Sequence, residues 1–394
     1  MPVVDSARLV AQIHDAPVRL VLAIAGGGSR AIAMLLEVPG GSRTLLEAVV
    51  PYSSAALEDW IGAAPEQFCS ARTSRAMAMA AFSRARGHLA ALNEDAREAR
   101  ILGIGCTASL VSDRPKHGAH RVHVAWQTIS ATASDSVELV KQRRNRVEEE
   151  RIAAQLILNA IADAAGVTDR LVLETQGDEP LTHERIDAPT AWQDLLWGTA
   201  EGVQHPNGAL EPTPFPRANR PAGPRALFPG AFNPLHEGHR RMIQLAGLIL
   251  GMPVEVEISI ENVDKPPLDY IEMDRRLRQF DRQTVWFTRA PTFIRKAALF
   301  PGTTFIVGAD TIRRIADPRY YRDGPWAAAA AIDVIATHGS RFLVFGRNCD
   351  GRLETLRELD LPDRLREICI EVPLEQFRLD ISSTAMRAGI ERAS

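Results

Sequence analysis

The chain has 394 residues, of which 45% are hydrophobic and 24% are charged, and its formal net charge is −3. Values so close to those of an average globular protein exclude an intrinsically disordered, collagen-like or low-complexity chain. A nearly neutral charge gives no global attraction to nucleic acid or to an anionic membrane, so we expect neither as a partner. At roughly 150 residues per domain, the length favours two domains and a connector.

The cysteines and the first residues of the chain indicate the cellular compartment in which we expect the protein. No apolar run near Met1 has the pattern of a signal peptide, and the stretches 18–25 and 152–165 are too short or too interrupted to cross a bilayer. Without a Cys-x-x-Cys pair, we expect reduced thiols, no structural metal and a cytoplasmic protein. The four scattered cysteines are Cys69, Cys106, Cys349 and Cys369.

Strand-like apolar runs alternate with helical patterns in the first 165 residues. The runs at 18–24, 101–104 and 122–126 predict buried strands, and residues 31–36 and 145–165 predict helices. This alternation predicts an α/β layer domain. The following stretch, up to residue 203, mixes short apolar pieces with polar residues and predicts a loosely packed extension of that domain.

A glycine-rich loop, Gly26-Gly27-Gly28-Ser29, stands between the first predicted strand and helix. Backbone amides at such a turn can hold a phosphate. A tight turn alone also explains three glycines, because no P-loop lysine follows them. Both interpretations stay open.

Further landmarks follow in order. They are Glu37-Val-Pro39-Gly-Gly-Ser42, Val49-Val-Pro-Tyr52-Ser53-Ser54, Leu102-Gly-Ile-Gly105-Cys-Thr107-Ala108 and Arg146. Over residues 8–165, their order and spacing resemble the C-terminal domain of the CinA (competence/damage-inducible) family, known as nicotinamide mononucleotide deamidases. The resemblance implies a nucleotide pocket near Tyr52, Thr107 and Arg146.

The nucleophile that this resemblance implies is missing. The family's serine-bearing string aligns with residues 24–29 of this chain, which puts Ala25 at the nucleophile position. The lysine that follows the family's Tyr-Ser-Asn motif aligns with Leu57, and Ser29 lies a turn too late to substitute. Because a serine hydroxyl needs an adjacent base to become a nucleophile, we expect a catalytically inactive domain.

Proline density marks a boundary near the middle of the chain. Six of the 25 prolines fall between Pro206 and Pro224. Proline removes backbone donors and disfavours helix in the preceding residue, so this stretch predicts an extended linker. We therefore predict a CinA-like domain at 1–200, a linker at 201–224 and a second domain at 225–394.

The second domain alternates strands and helices throughout. A helical pattern runs from His236 to Leu250. Alternation of this kind predicts a Rossmann-like parallel sheet with the ligand at the carboxyl ends of its strands. The predicted strands are 225–228, 254–260, 285–287, 304–307, 342–345 and 369–372.

The first strand of this domain runs into the string Gly230-Ala-Phe-Asn-Pro-Leu-His236-Glu-Gly-His239. Two histidines three residues apart at a helix start share one face, and the helix end adds free N–H groups and partial positive charge. Together they would stabilise a phosphoryl transition state without a covalent intermediate. A zinc pair or two histidines that only cap the helix are the alternatives.

A second string, Asp380-Ile-Ser382-Ser383-Thr384-Ala-Met-Arg387, offers capping hydroxyls and an arginine one turn later. Alone it is typical of an ordinary capped helix. The two strings together resemble the HxGH nucleotidylyltransferase superfamily, nearest to the nicotinamide or nicotinate mononucleotide adenylyltransferases. The resemblance covers about 223–394, including Phe305–Asp310, Phe342–Arg347 and Ser259–Lys265.

The resemblance implies a role for each matching position. His236, His239 and Arg387 would be catalytic and contact the ATP phosphates. Asn262 and Lys265 are candidates for the acceptor site, although an exposed lysine is an equal alternative for Lys265. The positions matched to nucleotide binding are Gly230, Ala231, Phe232, Gly308, Asp310, Arg347, Ser382, Ser383 and Thr384.

The expected activity is transfer of AMP from ATP, with Mg²⁺, to a small phosphate-bearing substrate, with release of pyrophosphate. Nicotinamide or nicotinate mononucleotide is the acceptor that both resemblances favour. A phosphopantetheine-like or sugar phosphate acceptor, or a protein that senses nucleotides without turnover, remains as an alternative. The sequence leaves open whether the protein forms a homo-oligomer.

Overall fold

The computed structural model describes residues 5–92, 94–95, 99–114, 116–215, 224–262, 266–321, 324–349 and 352–373. The chain divides into two compact units. The first comprises Met1–Ala188 and Asn262–Met273, and the second comprises Pro189–Glu261 and Asp274–Ser394. Both units combine helices with a multi-stranded sheet, which confirms the predicted α/β class. Within the described ranges, no helix is long and apolar enough to span a membrane.

The first unit is built on one six-stranded sheet. Its strands are β1 (Val18–Ala25), β2 (Leu45–Val49), β3 (Arg100–Ser109), β4 (His120–Gln127), β5 (Ala131–Leu139) and β6 (Leu181–Asp187). Its helices are α1 (Ser6–Asp15), α2 (Arg30–Glu37), α3 (Gly41–Thr44), α4 (Ser54–Ile61), α5 (Ala71–Ala91) and α6 (Arg146–Ala165). In the order β2-β1-β3-β4-β5-β6, the first three strands are parallel and the others join them antiparallel.

Helices cover the sheet of the first unit, and glycines in β3 allow α5 to lie directly on it. A Cβ at Gly103 or Gly105 would lie 2.1 or 2.2 Å from a backbone oxygen of α5. The main apolar core lies between the sheet and α6, where Ile152, Leu156 and Ile157 are fully or almost fully buried. Each buried CH₂ group contributes about 0.8 kcal/mol to folding, so this core stabilises the first unit.

The second unit carries the remaining elements. Its strands are β7 (Gly202–His205), β8 (Thr213–Phe215), β9 (Arg225–Pro229), β10 (Val254–Ser259), β11 (Val285–Thr288), β12 (Thr303–Gly308), β13 (Arg341–Phe345), β14 (Arg347–Cys349), β15 (Arg352–Glu354) and β16 (Cys369–Glu371). Its helices are α7 (Thr190–Trp197), α8 (Glu237–Leu250), α9 (Tyr270–Leu277, which begins in the segment counted with the first unit), α10 (Phe293–Leu299), α11 (Ala309–Ala316), α12 (Gly324–Thr337) and α13 (Asp363–Glu367).

The strand order of the second sheet is β16-β13-β12-β9-β10-β11-β7-β8. The six strands from β16 to β11 are parallel, as predicted, and β7 and β8 extend the edge antiparallel. Successive strands run outward from β9 on one side and from β12 on the other, which is the doubly wound order. The direction of winding changes between β9 and β12, so their carboxyl ends flank the crevice where such sheets bind ligands.

The proline-rich segment differs from the predicted linker. Gly202–His205 pairs with β11, and Thr213–Phe215 pairs with β7 as the edge strand. An edge strand tolerates proline because one row of its N–H groups needs no partner. Trp192 of α7 packs on His205, with ring centroids 5.7 Å apart, and its Nε1 donates to the His205 ring. β7 and β8 are therefore part of the sheet, with a short turn and loop between them, and residues 216–223 lie outside the described residues.

Candidate active site

The histidine pair begins α8, immediately after the turn that leaves the carboxyl end of β9. His236 is the N-cap residue, and its Nδ1 accepts the backbone N–H of His239 at 3.4 Å. The Nδ1 of His239 accepts the backbone N–H of His236 at 3.3 Å. The rings stack with their centroids 3.7 Å apart. Each histidine therefore orients the other, and both rings stand at the helix N-terminus.

This reciprocal capping determines where the ring protons lie. A ring nitrogen that accepts a backbone N–H carries no proton itself, so each neutral imidazole is protonated on Nε2. Burial lowers the pKa of His236. Burial, and secondarily the charge of His236, lowers the pKa of His239 to about 3. At neutral pH the pair thus comprises two uncharged rings, each with its N–H on the nitrogen that capping does not use.

The ring of Phe232 packs against the ring of His239. Its φ of 45° turns the buried ring inward, 5.0 Å from the His239 ring and 5.4 Å from Phe280. A Cβ at Gly230 would lie 2.8 Å from the Phe232 ring, so the glycine leaves room for this packing. Ala231 between them is exposed. The nucleotide-contacting roles of Gly230 and Phe232 rest on the resemblance, whereas in the structure Gly230 lies against the Phe232 ring and Phe232 packs against His239.

Gln279, which was not among the residues predicted from the sequence, braces the turn. Its side-chain oxygen accepts the backbone N–H of Leu235 at 2.7 Å. Its side-chain nitrogen donates to the carbonyl of Phe232 at 2.9 Å. One amide thus joins both sides of the turn that delivers the histidines. No local pattern marks this residue, because the contact spans more than forty positions of sequence.

A buried ion pair lies at the carboxyl ends of β10 and β11. Lys296 Nζ is 2.6 Å from a carboxylate oxygen of Glu257, and the two side chains are 7% and 0% exposed. Thr288 donates to the other carboxylate oxygen. The backbone oxygen of Glu257 accepts the N–H of Gly230 at 2.9 Å. This cluster, also absent from the sequence analysis, therefore adjoins the start of the histidine turn.

The structure brings only some of the other predicted residues to this edge of the sheet. Gly308 ends β12 beside β9, and Asp310 lies in the first turn of α11, where it pairs with Arg314 at 3.1 Å. Arg347 begins β14 of a separate two-stranded hairpin. Asn262 belongs to the segment counted with the first unit. The positions outside the described residues are Lys265, Ser382, Ser383, Thr384 and Arg387.

In the first unit, the positions aligned with the deamidase nucleophile and lysine are apolar and packed. Ala25 at the end of β1 and Leu57 of α4 belong to one hydrophobic cluster and are 7% and 3% exposed. Of the residues implied as a pocket, Tyr52 is exposed, and Thr107 is buried and donates to the carbonyl of Ser70. Arg146 donates to the carbonyl of Gly26 at 2.8 Å.

The side-chain carboxylate of Glu150 accepts hydrogen bonds from backbone amides at the glycine-rich loop. The Glu150 side chain accepts from the backbone N–H of Gly28 at 2.9 Å, from the Ser29 hydroxyl at 3.1 Å and from the N–H of Arg30 at 3.2 Å. Arg146 lies 3.8 Å from the same carboxylate. The amides of Gly28 and Arg30 are thus engaged by an internal carboxylate.

Among the described residues, no group of three or more His, Cys, Asp and Glu side chains could hold a metal ion. No protein-family model matches the chain, and no curated protein does.

Solved structures similar to the chain include CinA-superfamily proteins, and this similarity covers its N-terminal part. The competence/damage inducible protein CihA from Agrobacterium tumefaciens is 19% identical, with a TM-score of 0.31, over 41% of this chain and 96% of that one. A CinA superfamily protein from Escherichia coli is 17% identical, with a TM-score of 0.31, over 41% and 90%. One from Enterobacter cloacae is 15% identical, with a TM-score of 0.30, over 42% and 94%.

Proposed function

We propose that the second unit is a nucleotidyltransferase that transfers AMP from ATP to a phosphate-bearing acceptor and releases pyrophosphate. Nicotinamide or nicotinate mononucleotide is the acceptor we favour, because both resemblances in the sequence concern pyridine nucleotides. The observation that carries the proposal is the pair His236 and His239, capped through Nδ1 and stacked at the N-terminus of α8 beside the switch point.

The geometry suits a polyphosphate for three reasons. Two Nε2–H groups can donate to phosphate oxygens, and a helix N-terminus favours negative charge. Neutral rings need no counter-ion before the ligand arrives, which fits the buried position of His236. Donors fixed by capping and stacking do not reorganise as charge develops, and such preorganisation is a large part of enzymatic stabilisation.

In the proposed reaction, an oxygen of the acceptor phosphate attacks the α-phosphorus of ATP. The bond from that phosphorus to the bridging oxygen breaks, and its electron pair leaves with pyrophosphate. His236 and His239 donate hydrogen bonds to the phosphate oxygens during this exchange. Ser382, Ser383, Thr384 and Arg387 would hold the leaving group, as the resemblance implies. Mg²⁺ commonly binds through substrate phosphates and retains several waters, so ATP would carry it into the site.

For the first unit, the proposal is a deamidase-like domain without amidase activity. The support is chemical: a methyl group and an isobutyl group, at Ala25 and Leu57, stand where the resemblance requires a nucleophile and its base. Neither side chain can attack a carbonyl or accept a proton. The domain then contributes its fold and not a hydrolytic step.

Pyrophosphate release from Mg-ATP tests the proposed transfer. Nicotinamide mononucleotide, nicotinate mononucleotide, phosphopantetheine and a sugar phosphate are supplied separately as acceptors, and the dinucleotide product is identified by mass spectrometry. His239→Ala should reduce turnover by about 10²-fold or more, the usual cost of removing one preorganised donor. The matched control is His338→Ala, which removes a partly exposed histidine of the same unit.

Three results would count against the proposal in different ways. No release with any acceptor, together with tight ATP binding, would favour a nucleotide sensor. Release with only a phosphopantetheine or sugar phosphate would keep the transferase and change the acceptor. Full activity of His239→Ala, with an unchanged circular dichroism spectrum, would remove the histidine pair from the mechanism.

A further inference from the structure

A cavity of about 830 Å³ opens on the sheet of the first unit. It lies toward the face that α5 covers elsewhere, because Thr107 and Ser109 of β3, on the same face as Gly105, pair with His123 and Arg121 of β4. Its size is in the range of small-molecule sites. None of the residues assigned to nucleotidyl transfer lines this cavity.

Arg121 lines this cavity and has no carboxylate partner in the described part of the chain. Among the described residues, no carboxylate lies within ion-pair distance of its guanidinium, and its Nε is buried without a hydrogen-bond partner. Its charge is felt by its neighbours. Arg121 adds to the burial that lowers the pKa of His123 to about 4. It also opposes the burial that raises the pKa of the Cys69 thiol.

His123 provides a second unsatisfied group beside it. Its Nδ1 is hydrogen-bonded to the Ser136 hydroxyl at 2.7 Å, and its Nε2 is buried without a partner in the described part of the chain. A buried polar atom left without a partner costs about 1–3 kcal/mol. A buried polar atom without a protein partner calls for an explanation such as a bound water, ion or ligand, or a functional role.

The side chains of two other charged residues at the cavity have hydrogen-bond or ion-pair partners, and that of a third has none within the described ranges. Lys141 donates to the carbonyls of Lys116 and His117, and Asp178 is held by both terminal nitrogens of Arg143 at 2.7 and 2.8 Å. The third is Glu138, an exposed carboxylate directly across the strand pair from Arg121. The cavity therefore presents two cations without a carboxylate partner among the described residues, Arg121 and Lys141, of which Lys141 already donates to two carbonyls, and the carboxylate of Glu138 opposite Arg121.

We propose that this cavity binds a small hydroxylated molecule bearing one oxyanion group. Arg121 holds the oxyanion, because a guanidinium matches both phosphate and carboxylate. Glu138 accepts a hydrogen bond from a hydroxyl group of the ligand. The site is independent of nucleotidyl transfer, so the two proposals fail separately.

NMR of the His123 ring in the full-length protein provides the test, with glycerol 3-phosphate, glycerate and inorganic phosphate as probes. Saturable shifts of the ring signals are expected with glycerol 3-phosphate or glycerate. The probe that binds with the higher affinity identifies phosphate or carboxylate as the preferred group. Binding should also raise the pKa of His123, since the anion neutralises Arg121.

Matched variants separate a built site from general charge attraction. Arg121→Met should weaken binding at least about tenfold, as expected for a charged hydrogen bond, whereas Arg151→Met, at an exposed arginine paired with Glu174, should leave it unchanged. Glu138→Gln should weaken glycerol 3-phosphate more than inorganic phosphate. Equal affinity of Arg121→Met, or no saturable shift with any probe, would overturn the proposal. So would a wild-type dimer that Arg121→Met converts to a monomer by light scattering, because a second copy would then cover this face.

Discussion

His239 shows how one residue couples protonation to ligand binding. In the ligand-free protein its pKa is lowered to about 3, chiefly by burial. A bound polyphosphate stabilises the imidazolium and so raises that pKa. Linkage then requires that binding take up protons and that ATP bind more tightly as the pH falls toward the raised pKa. Calorimetric titration of ATP in two buffers of different ionisation enthalpy measures the uptake near pH 6.

The same titration on variants identifies the group responsible. His239→Ala should take up fewer protons than the wild type at each pH, because His236 alone remains at the site. The His338→Ala control should retain the full uptake. A wild-type affinity that is constant from pH 8 to 6, with no buffer-dependent enthalpy, would show that neither imidazole takes up a proton when ATP binds.

At the scale of elements, the turn between β9 and α8 depends on the amide of Gln279. Gln279→Glu keeps the oxygen that accepts from Leu235 and replaces the nitrogen that donates to Phe232 by a second acceptor. Repulsion from that carbonyl should shift the turn and misplace the histidines. We expect a fall in kcat of about tenfold or more, since small displacements of catalytic groups are costly. Steady-state pyrophosphate release measures it.

Gln279→Ala gives the comparison for that experiment. It removes both bonds without introducing repulsion, so its activity should lie between those of the wild type and Gln279→Glu. Similar melting temperatures of the two variants would assign the difference to positioning. Equal kcat values for all three proteins would show that the turn holds its conformation without this brace.

A second prediction at this scale concerns α6 and the glycine-rich loop. Glu150→Ala removes a carboxylate that accepts three hydrogen bonds from the loop and the start of α2. The loss should destabilise the first unit by about 1–3 kcal/mol, because the Gly28 amide is buried and loses its partner. Urea unfolding monitors the change. Glu37→Ala, at an exposed carboxylate at the other end of α2, should have little effect, and equal losses in the two variants would contradict the role of Glu150.

Across the whole molecule, the sequence patterns predicted the strands that consist of continuous apolar runs. The buried strands β1, β3 and β4 and the parallel strands of the second unit were found in this way. β5 was missed because polar residues such as Ser134, Ser136 and Asp135 interrupt it. β7 and β8 were assigned to a linker because prolines surround them, although an edge strand accommodates proline.

In the candidate sites, too, the sequence predicted arrangements of residues that are close together in the chain and missed contacts between residues that are far apart. Spacing alone predicted that His236 and His239 share one face, and the capping geometry agrees with that spacing. Spacing could not show that Gln279 holds the turn or that Glu150 fills the glycine-rich loop, since each contact joins residues far apart in the chain. Such partners are set by how the elements pack.

In the second unit, both predicted histidines stand at the start of α8. In the first unit, the positions that were expected to be reactive, Ala25 and Leu57, carry apolar side chains. We therefore expect purified full-length protein to release no ammonia from nicotinamide mononucleotide beyond the uncatalysed rate, by a coupled ammonia assay. Ala25→Ser alone should not restore release, because a serine without a base remains a poor nucleophile. Ala25→Ser with Leu57→Lys supplies both groups, although burying a lysine at a position 3% exposed costs stability. Ammonia release by the wild type would show that the first unit uses a nucleophile other than residue 25.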